Sequence, residues 1–170
     1  EGRLNDARLR ENFIARVFAV RRWKDMEGAG VTRARLMRFH ATHKYLCMAR
    51  NQAGMRRLGR LLGSAGPGDS DEALALAYLD EFSTVMRRPP SPKGHTNVLQ
   101  HMAGYVSDDL DSPDRAELTT AIHDYRRGLL PLIVPLTLLR HHARRQEQTY
   151  LLEQTYLFPH PHELMLLNHV

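Results

Sequence analysis

The chain has 170 residues, of which 42% are apolar, with 24 Lys and Arg, 19 Asp and Glu and a formal net charge of +5. This length predicts one domain with a buried core, and a start at Glu1 rather than at methionine indicates a piece of a longer protein. No apolar run of about 18 residues is present, which excludes a membrane span. Cys47 is the only cysteine, which excludes an internal disulfide and an all-cysteine zinc or iron–sulfur site and favours a reducing, cytoplasmic setting.

The N-terminal half of the chain predicts four helices separated by short breaks. Apolar residues recur at helical spacing from Leu9 to Phe13 and beyond, and Gly28 ends this first helix. Thr32 can cap the second helix, while Asp69 with Glu72 three residues later resembles a capping box for the fourth. The four helices are expected over about 9–28, 33–50, 51–63 and 70–86.

The C-terminal half predicts further helices and no strand. Three prolines in "RRPPSPKG", residues 87–94, make that stretch irregular. Ser112 and Pro113 are typical of a helix start, and Gly128 is typical of a helix end. Helical stretches are expected over about 96–110, 112–127, 135–145 and 150–156, followed by an extended "FPHPHE" strap at 158–163. Without a hairpin signal or sustained alternation, the prediction is an all-α, single compact domain of about seven helices with no sheet.

Four stretches of the sequence carry a resemblance to a known family. They are "FHATHKYLCMA" (39–49), "HTNVLQHMAGY" (95–105), "YRRGLLPLIVPLTLLRHH" (125–142) and "QTYLFPHPHELMLLN" (154–168). Together they resemble the YbgA-like domain, a helical family of unknown function, over about residues 30–170. We therefore predict a YbgA-like all-helical domain over 29–170, with residues 1–28 as an N-terminal helical linker or the tail of a preceding domain.

The first 25 residues carry a second resemblance. "GRLNDARLRENFIARVFAVRRW" is similar to the segment that joins a TudS-type thiouracil desulfidase domain to a following YbgA-like domain. That fusion resembles the RudS-type enzymes, which remove sulfur from 4-thiouridine in tRNA. The resemblance implies an iron–sulfur cluster and the chemistry in a fused or associated N-terminal desulfidase domain, while the YbgA-like part binds tRNA. With one cysteine, this chain lacks the ligands for such a cluster, so we expect no cofactor in it and no catalysis by it alone.

Arginine is concentrated in the N-terminal part of the chain. Residues 1–60 carry fifteen Arg and Lys against five Asp and Glu, whereas residues 61–170 carry nine against fourteen. Such asymmetry favours an anionic partner, and arginine suits bidentate phosphate contacts; a solubilising surface and a solvated helix end are the alternatives. The predicted RNA-binding residues are Arg33, Arg35, Arg38, His40, Lys44, Arg50, Asn97, Gln100, His101, Arg126, Arg140, His141, Arg144 and Arg145.

The stretch "RFHATHKYLCMAR", residues 38–50, is compatible with three kinds of site. His40, His43 and Cys47 share one helical stripe, and such ligands can bind zinc if His95 or His101 supplies another. Packing or RNA contact explains the same residues, and cysteine suits a small core position. We expect no metal here, while His40 and His43 stay open between core and surface.

"HTNVLQHMAGY" places polar groups on one face of a helix. Asn97 and His101 lie on this face with Gln100 alongside. Amide side chains can bind the edges of unstacked RNA bases, and an interhelix hydrogen-bond network is the alternative.

Two further hypotheses compete with RNA binding. In the first, the domain supplies catalytic groups, for which His43, His101 and Tyr105 are the candidates. No carboxylate lies at a helical spacing that would orient His101 as a base. Alternatively, the chain is a protein-interaction or structural module whose basic face docks an acidic partner.

Overall fold

Eight α-helices make up most of residues 6–159, the part of the chain that the computed structural model describes. They are α1 (Ala7–Gly28), α2 (Arg33–Arg50), α3 (Gln52–Ser64), α4 (Asp71–Arg87), α5 (Pro92–Val106), α6 (Ser112–Arg126), α7 (Ile133–Arg145) and α8 (Thr149–Leu152). A 3₁₀ turn at Ser107–Asp109 follows α5, and no strand occurs within the described residues. The all-α prediction is therefore confirmed. None of these eight helices has both the length and the apolarity that crossing a bilayer demands.

Local capping signals set several of the helix starts. Thr32 caps α2, as the sequence predicted, and Asn51 caps α3. Each side chain accepts a hydrogen bond from a backbone N–H of the first turn. α4 is capped by Ser70 rather than by Asp69. The Asp69 carboxylate instead accepts a hydrogen bond from Gly66 N (2.6 Å) and closes the preceding loop.

Some helix boundaries in the second half differ from the prediction. α5 begins at Pro92, so the end of "RRPPSPKG" is helical, because a proline in the first turn lacks only an N–H that has no helical partner. Ser91 caps this helix, which ends at Val106 rather than near residue 110. The cap of α6 is Asp111 rather than Ser112, and α8 is only four residues long.

An aromatic cluster joins α1, α2 and α4 in the core. The fully buried Tyr78 ring is parallel to those of Trp23 and Phe82, at centroid distances of 6.0 and 6.1 Å. Phe39 meets Trp23 edge-on at 5.2 Å. Burying a side chain of this kind contributes about 1.5–3 kcal/mol. α1, which the sequence assigned to a linker or tail, therefore contributes to the same core through Trp23, which is 4% exposed.

α2 packs against four other helices and is central to the fold. Its neighbours are α1, α3, α4 and α5. Where α5 crosses α2, a Cβ added at Gly94 would overlap the backbone carbonyl oxygen of Ala49. The missing side chain of Gly94 therefore sets the separation between these two helices.

The described part of the chain ends against its first two helices. Thr155 N donates to Thr42 O of α2 (2.9 Å). Arg22 of α1 donates to Phe158 O (3.0 Å) and to Pro159 O (3.1 Å). The start of the predicted 158–163 strap is thus held by α1, and its remaining residues lie outside the described part of the chain.

Candidate functional site

The C-terminal half of α7 presents a group of basic side chains. Arg140, His141, Arg144 and Arg145, named here the α7 patch, line an open depression of about 500 Å³ together with Thr137. The last three of these basic residues are exposed. Within the described residues, no carboxylate lines the depression. One carboxylate oxygen of Asp114 lies 3.8 Å from Arg145 Nη1, but this exposed ion pair is weak and leaves the guanidinium available to a partner. The basic cluster seen in the sequence therefore forms one surface that is accessible to an anion.

Arg140 differs from the rest of the α7 patch because its guanidinium is turned inward. It is 6% exposed, donates from Nε to Leu157 O (2.9 Å) and lies 5.0 Å from the centre of the Phe158 ring. Arg144 lies 5.8 Å from the same ring centre. Burial lowers the pKa of Arg140, and the charge of Arg144 adds to the shift. Packing on Phe158 explains the proximity of the two arginines without an anion between them.

Among the predicted RNA-binding residues of early α2, one is structural and two are exposed. Arg33 donates three hydrogen bonds to the loop between α3 and α4, and its Nε lies 3.3 Å from a carboxylate oxygen of Asp71. Arg35 is exposed and donates to the chain just before α2 (2.9 Å). Arg38 is also exposed, with its Nη2 3.7 Å from a carboxylate oxygen of Glu153. Such exposed ion pairs are weak, so Arg35 and Arg38 remain available to a partner.

The edge formed by His40 and Lys44 is half-buried. His40 Nδ1 lies 2.9 Å from the Tyr78 hydroxyl. Burial lowers the pKa of His40, and the nearby charge of Lys44 lowers it further. Lys44 Nζ lies 5.6 Å from the centre of the Tyr45 ring. Both side chains are thus partly engaged with aromatic residues of the fold.

His43 and Cys47 belong to the core. The His43 ring stacks on Phe39 with 3.9 Å between centroids, and its Nδ1 lies 2.8 Å from Phe39 O. Burial lowers the pKa of His43 to about 3, which keeps it neutral and unsuited to acid–base catalysis near pH 7. Burial raises the pKa of the Cys47 thiol to about 12. Within residues 6–159, no three His, Cys, Asp or Glu side chains come together as metal ligands.

The outer face of α5 is accessible. Gln100 and His101 are exposed, and Asn97 is half-buried. Tyr105, one helical turn after His101, is 44% exposed and its ring centre lies 5.3 Å from that of Tyr150. Two of the three catalytic candidates therefore share a surface on which amide and aromatic groups can contact a partner.

A cavity of about 230 Å³ lies where the starts of α1 and α5 approach the end of α6. Three exposed arginines, Arg8, Arg126 and Arg127, form its rim, and the buried His95 lies at its inner end. Its other lining residues are Glu11, Pro90, Pro92, Tyr125, Gly128, Leu130 and Leu132. We name it the α1–α6 cavity. It combines a cationic rim with largely apolar walls, as in sites that bind small organic anions.

Titratable groups line the inner end of the α1–α6 cavity. His95 Nδ1 lies 2.8 Å from the Tyr156 hydroxyl, and the Tyr125 ring is nearly perpendicular to the imidazole at a centroid distance of 6.0 Å. Burial raises the pKa of Glu11 to about 7, opposed by the charge of Arg50. Burial in turn lowers the pKa of Arg50 to about 10. An inner void of about 10 Å³, room for roughly one water, borders Glu11, Arg50, His95 and Tyr156.

Sequence reasoning did not identify this cavity. It named Arg126 and Arg50 as RNA-binding and His95 only as a spare metal ligand. The available signal was the position of Glu11, which precedes the buried Ala15 by four residues and so places a carboxylate on the inward stripe of α1.

The sequence as a whole is similar to known proteins. The family described as Protein of unknown function (DUF1722) matches residues 44–161, more than half of the chain. The chain belongs to the DUF1722 family. The Uncharacterized protein YbgA of Escherichia coli (strain K12) is 29% identical over 153 residues, which cover 90% of this chain and 90% of that protein. The resemblance to the YbgA-like family is thereby confirmed. No solved structure matches the chain.

The DUF1722 match includes both surfaces described above in large part. It contains the whole α7 patch and every lining residue of the α1–α6 cavity except Arg8 and Glu11. Those two residues come from α1, which precedes the matched stretch.

Proposed function

We propose that this chain is a tRNA-binding module that positions tRNA for a fused or associated iron–sulfur desulfidase domain, which removes sulfur from 4-thiouridine. The observation that carries the proposal is the α7 patch, a basic depression without a lining carboxylate among the described residues. The chain itself has a binding role, the iron–sulfur chemistry belongs to the other domain, and the setting is the cytoplasm.

Phosphate contacts suit the geometry of the α7 patch. Arg144 and Arg145 are exposed on the last turn of α7, where cations also complement the helix dipole. Arg140 holds the Phe158 ring beneath them, which limits the motion of the surface. Most protein–nucleic-acid hydrogen bonds go to phosphate and sugar, and such contacts position the nucleic acid. A rigid helical surface can in addition recognise the shape of folded RNA.

The test is a gel-shift titration of the 170-residue chain with tRNA at several salt concentrations. We expect affinity to fall as salt rises, because bound phosphates release counterions. Arg144→Gln and Arg145→Gln should each reduce the slope of log affinity against log salt by about 1. Arg87→Gln, at an exposed arginine in the last turn of α4, is the matched control and should have a smaller effect. Absence of binding at low salt, or binding that ignores salt, would refute the proposal.

A docking role for α1 is a second candidate function. Leu9, Phe13, Val17 and Val20 are between 38% and 50% exposed and recur at helical spacing on one face. A row of exposed apolar side chains is typical of a protein interface. In a desulfidase fusion, Phe13→Gln should then reduce sulfur removal while leaving the tRNA affinity of the 170-residue chain unchanged. Equal sulfur removal by the Phe13→Gln fusion and by the original fusion would contradict this role.

A further inference from the structure

The α1–α6 cavity lies outside the surface that the proposed function uses. We propose that it binds one unstacked nucleotide, with the phosphate on the arginine rim and the base against Tyr125 and the proline and leucine walls. The inference rests on the proposed function for the source of that nucleotide, which is a residue of the bound RNA. Free nucleoside monophosphate offers the same chemistry, so the experiment below separates the two sources.

The size of the cavity selects a small ligand. Its volume of about 230 Å³ falls below the ~300–1,000 Å³ that is usual for sites of drug-sized molecules and cofactors. A dinucleotide cofactor or a folded peptide segment therefore exceeds the enclosed space. A single base fits inside, provided that the charged part of the nucleotide stays at the rim.

The charge of the rim selects an anion. Arg8, Arg126 and Arg127 are all exposed and all line the opening. Asp124 has one carboxylate oxygen 3.9 Å from Arg127 Nη1, a long contact that leaves the other guanidinium nitrogens for a ligand. Guanidinium groups match the geometry of phosphate. Glu11 is the one carboxylate among the described residues that line the cavity, so three guanidinium groups leave the opening with a net positive charge. The rim can thus bind a phosphate while the rest of the nucleotide enters the cavity.

The walls and the inner end select a planar, partly polar body. Tyr125 and the prolines Pro90 and Pro92 offer flat apolar surfaces, and unstacked RNA bases bind to aromatic side chains in this way. His95 is 8% exposed and fixed against the Tyr156 hydroxyl. The inner end is therefore polar while the walls are apolar, which suits a planar base with a polar edge.

The turn after α6 brings several lining residues of the cavity together. Gly128 has a φ of +74° and turns the chain immediately after α6, so that the residues on either side of it line the same cavity. The turn thus places the rim residues Arg126 and Arg127 next to the apolar wall formed by Leu130 and Leu132.

The experiment measures binding of uridine 5′-monophosphate, uridine and inorganic phosphate to the 170-residue chain by calorimetry at one ionic strength. We expect the monophosphate to bind at least about tenfold more tightly than uridine or inorganic phosphate alone, because the rim and the walls both contribute. Tyr125→Leu should weaken its binding by about tenfold or more, whereas Tyr125→Phe, which keeps the ring, should not. Arg126→Gln should weaken it as well. Arg60→Gln, at an exposed arginine of α3 that lines neither the cavity nor the α7 patch, is the matched control and should leave it unchanged.

The outcomes separate the cavity from the proposed function. A monophosphate that binds no better than phosphate, or a Tyr125→Leu variant with unchanged affinity, overturns the nucleotide site even if tRNA binds. If the leucine variant fails to fold, the Arg126→Gln comparison decides instead. A competition titration then tests the source: displacement of uridine 5′-monophosphate by tRNA supports an RNA nucleotide. If uridine 5′-monophosphate and tRNA bind at the same time, the RNA source of the nucleotide is overturned and the cavity is a site for free nucleotide. Failure of tRNA to bind at all refutes the proposed function but not the site for a monophosphate.

Discussion

Replacing Gly94 by alanine tests the crossing of α2 and α5 directly. The added methyl group would overlap the carbonyl oxygen of Ala49, a backbone atom that cannot move without its helix. Restoring an ordinary contact requires the helices to separate by on the order of 1 Å, and a gap of that size forfeits a quarter to a half of each dispersion contact across it. Val98 and Leu99, both fully buried, follow Gly94 by four and five residues on α5.

The expected loss of stability is the balance of two terms. Overpacking of a core costs about 1–3 kcal/mol, occasionally more, whereas glycine to alanine in a helix gains up to about 1 kcal/mol. We therefore expect Gly94→Ala to lower the free energy of unfolding by about 1–2 kcal/mol. This loss is a sizeable fraction of the about 5–15 kcal/mol by which native domains are stable.

The assay is urea unfolding followed by the fluorescence of Trp23, the single tryptophan, which is 4% exposed. Gly104→Ala is the matched control, because it lies in the same helix and no atom lies within 4 Å of an added Cβ there. This control should be as stable as the original chain or up to about 1 kcal/mol more stable. Equal or greater stability of Gly94→Ala would refute the close helix crossing.

Three further predictions concern buried titratable groups. The raised pKa of Glu11 means that the folded chain keeps a proton which the unfolded chain loses, so this carboxyl lowers stability as pH rises from about 4.5 to about 7. In urea unfolding, the stability of Glu11→Gln relative to the original chain should therefore increase by about 1–2 kcal/mol between pH 5 and pH 8. A stability difference that does not change with pH would contradict this. Tyr78→Phe keeps the aromatic packing but removes the hydroxyl partner of His40, and calorimetry should show a loss of about 1 kcal/mol. Cys47 is fully buried with a thiol pKa raised to about 12, so a disulfide reagent at pH 8 should label it more than about a hundredfold faster in urea than in buffer; rapid labelling of the folded chain would place it at the surface.

Local signals made much of the fold predictable. The caps at Thr32 and Asn51 each rest on one side chain and the backbone of the following turn, so the sequence contains all that is needed. The region around Pro92 was misjudged, because proline within a helix and proline in its first turn look alike until the start of the helix is known. Ser91, which caps that helix, was the signal that fixes the start.

The candidate site was less predictable because it depends on which distant segments meet. Arg140 and Arg144 look equivalent in the sequence, yet one donates to the carbonyl oxygen of Leu157 and the other is exposed. Likewise, Tyr125 and His95 lie on different helices thirty positions apart, and neither alone indicates a cavity. Side-chain chemistry can be listed from a sequence, but the direction of each side chain follows from tertiary packing.

The bonds from Arg22 to Phe158 and Pro159 also bear on how the protein is made. They join positions 136 and 137 residues apart, so these two bonds cannot form until the ribosome has synthesised the chain as far as residue 159. At 5–20 residues per second, this interval lasts on the order of ten seconds. The exposed apolar and basic side chains of α1 are available to chaperones throughout that interval. Any domain encoded upstream would already have been synthesised, and could fold, before this one closes.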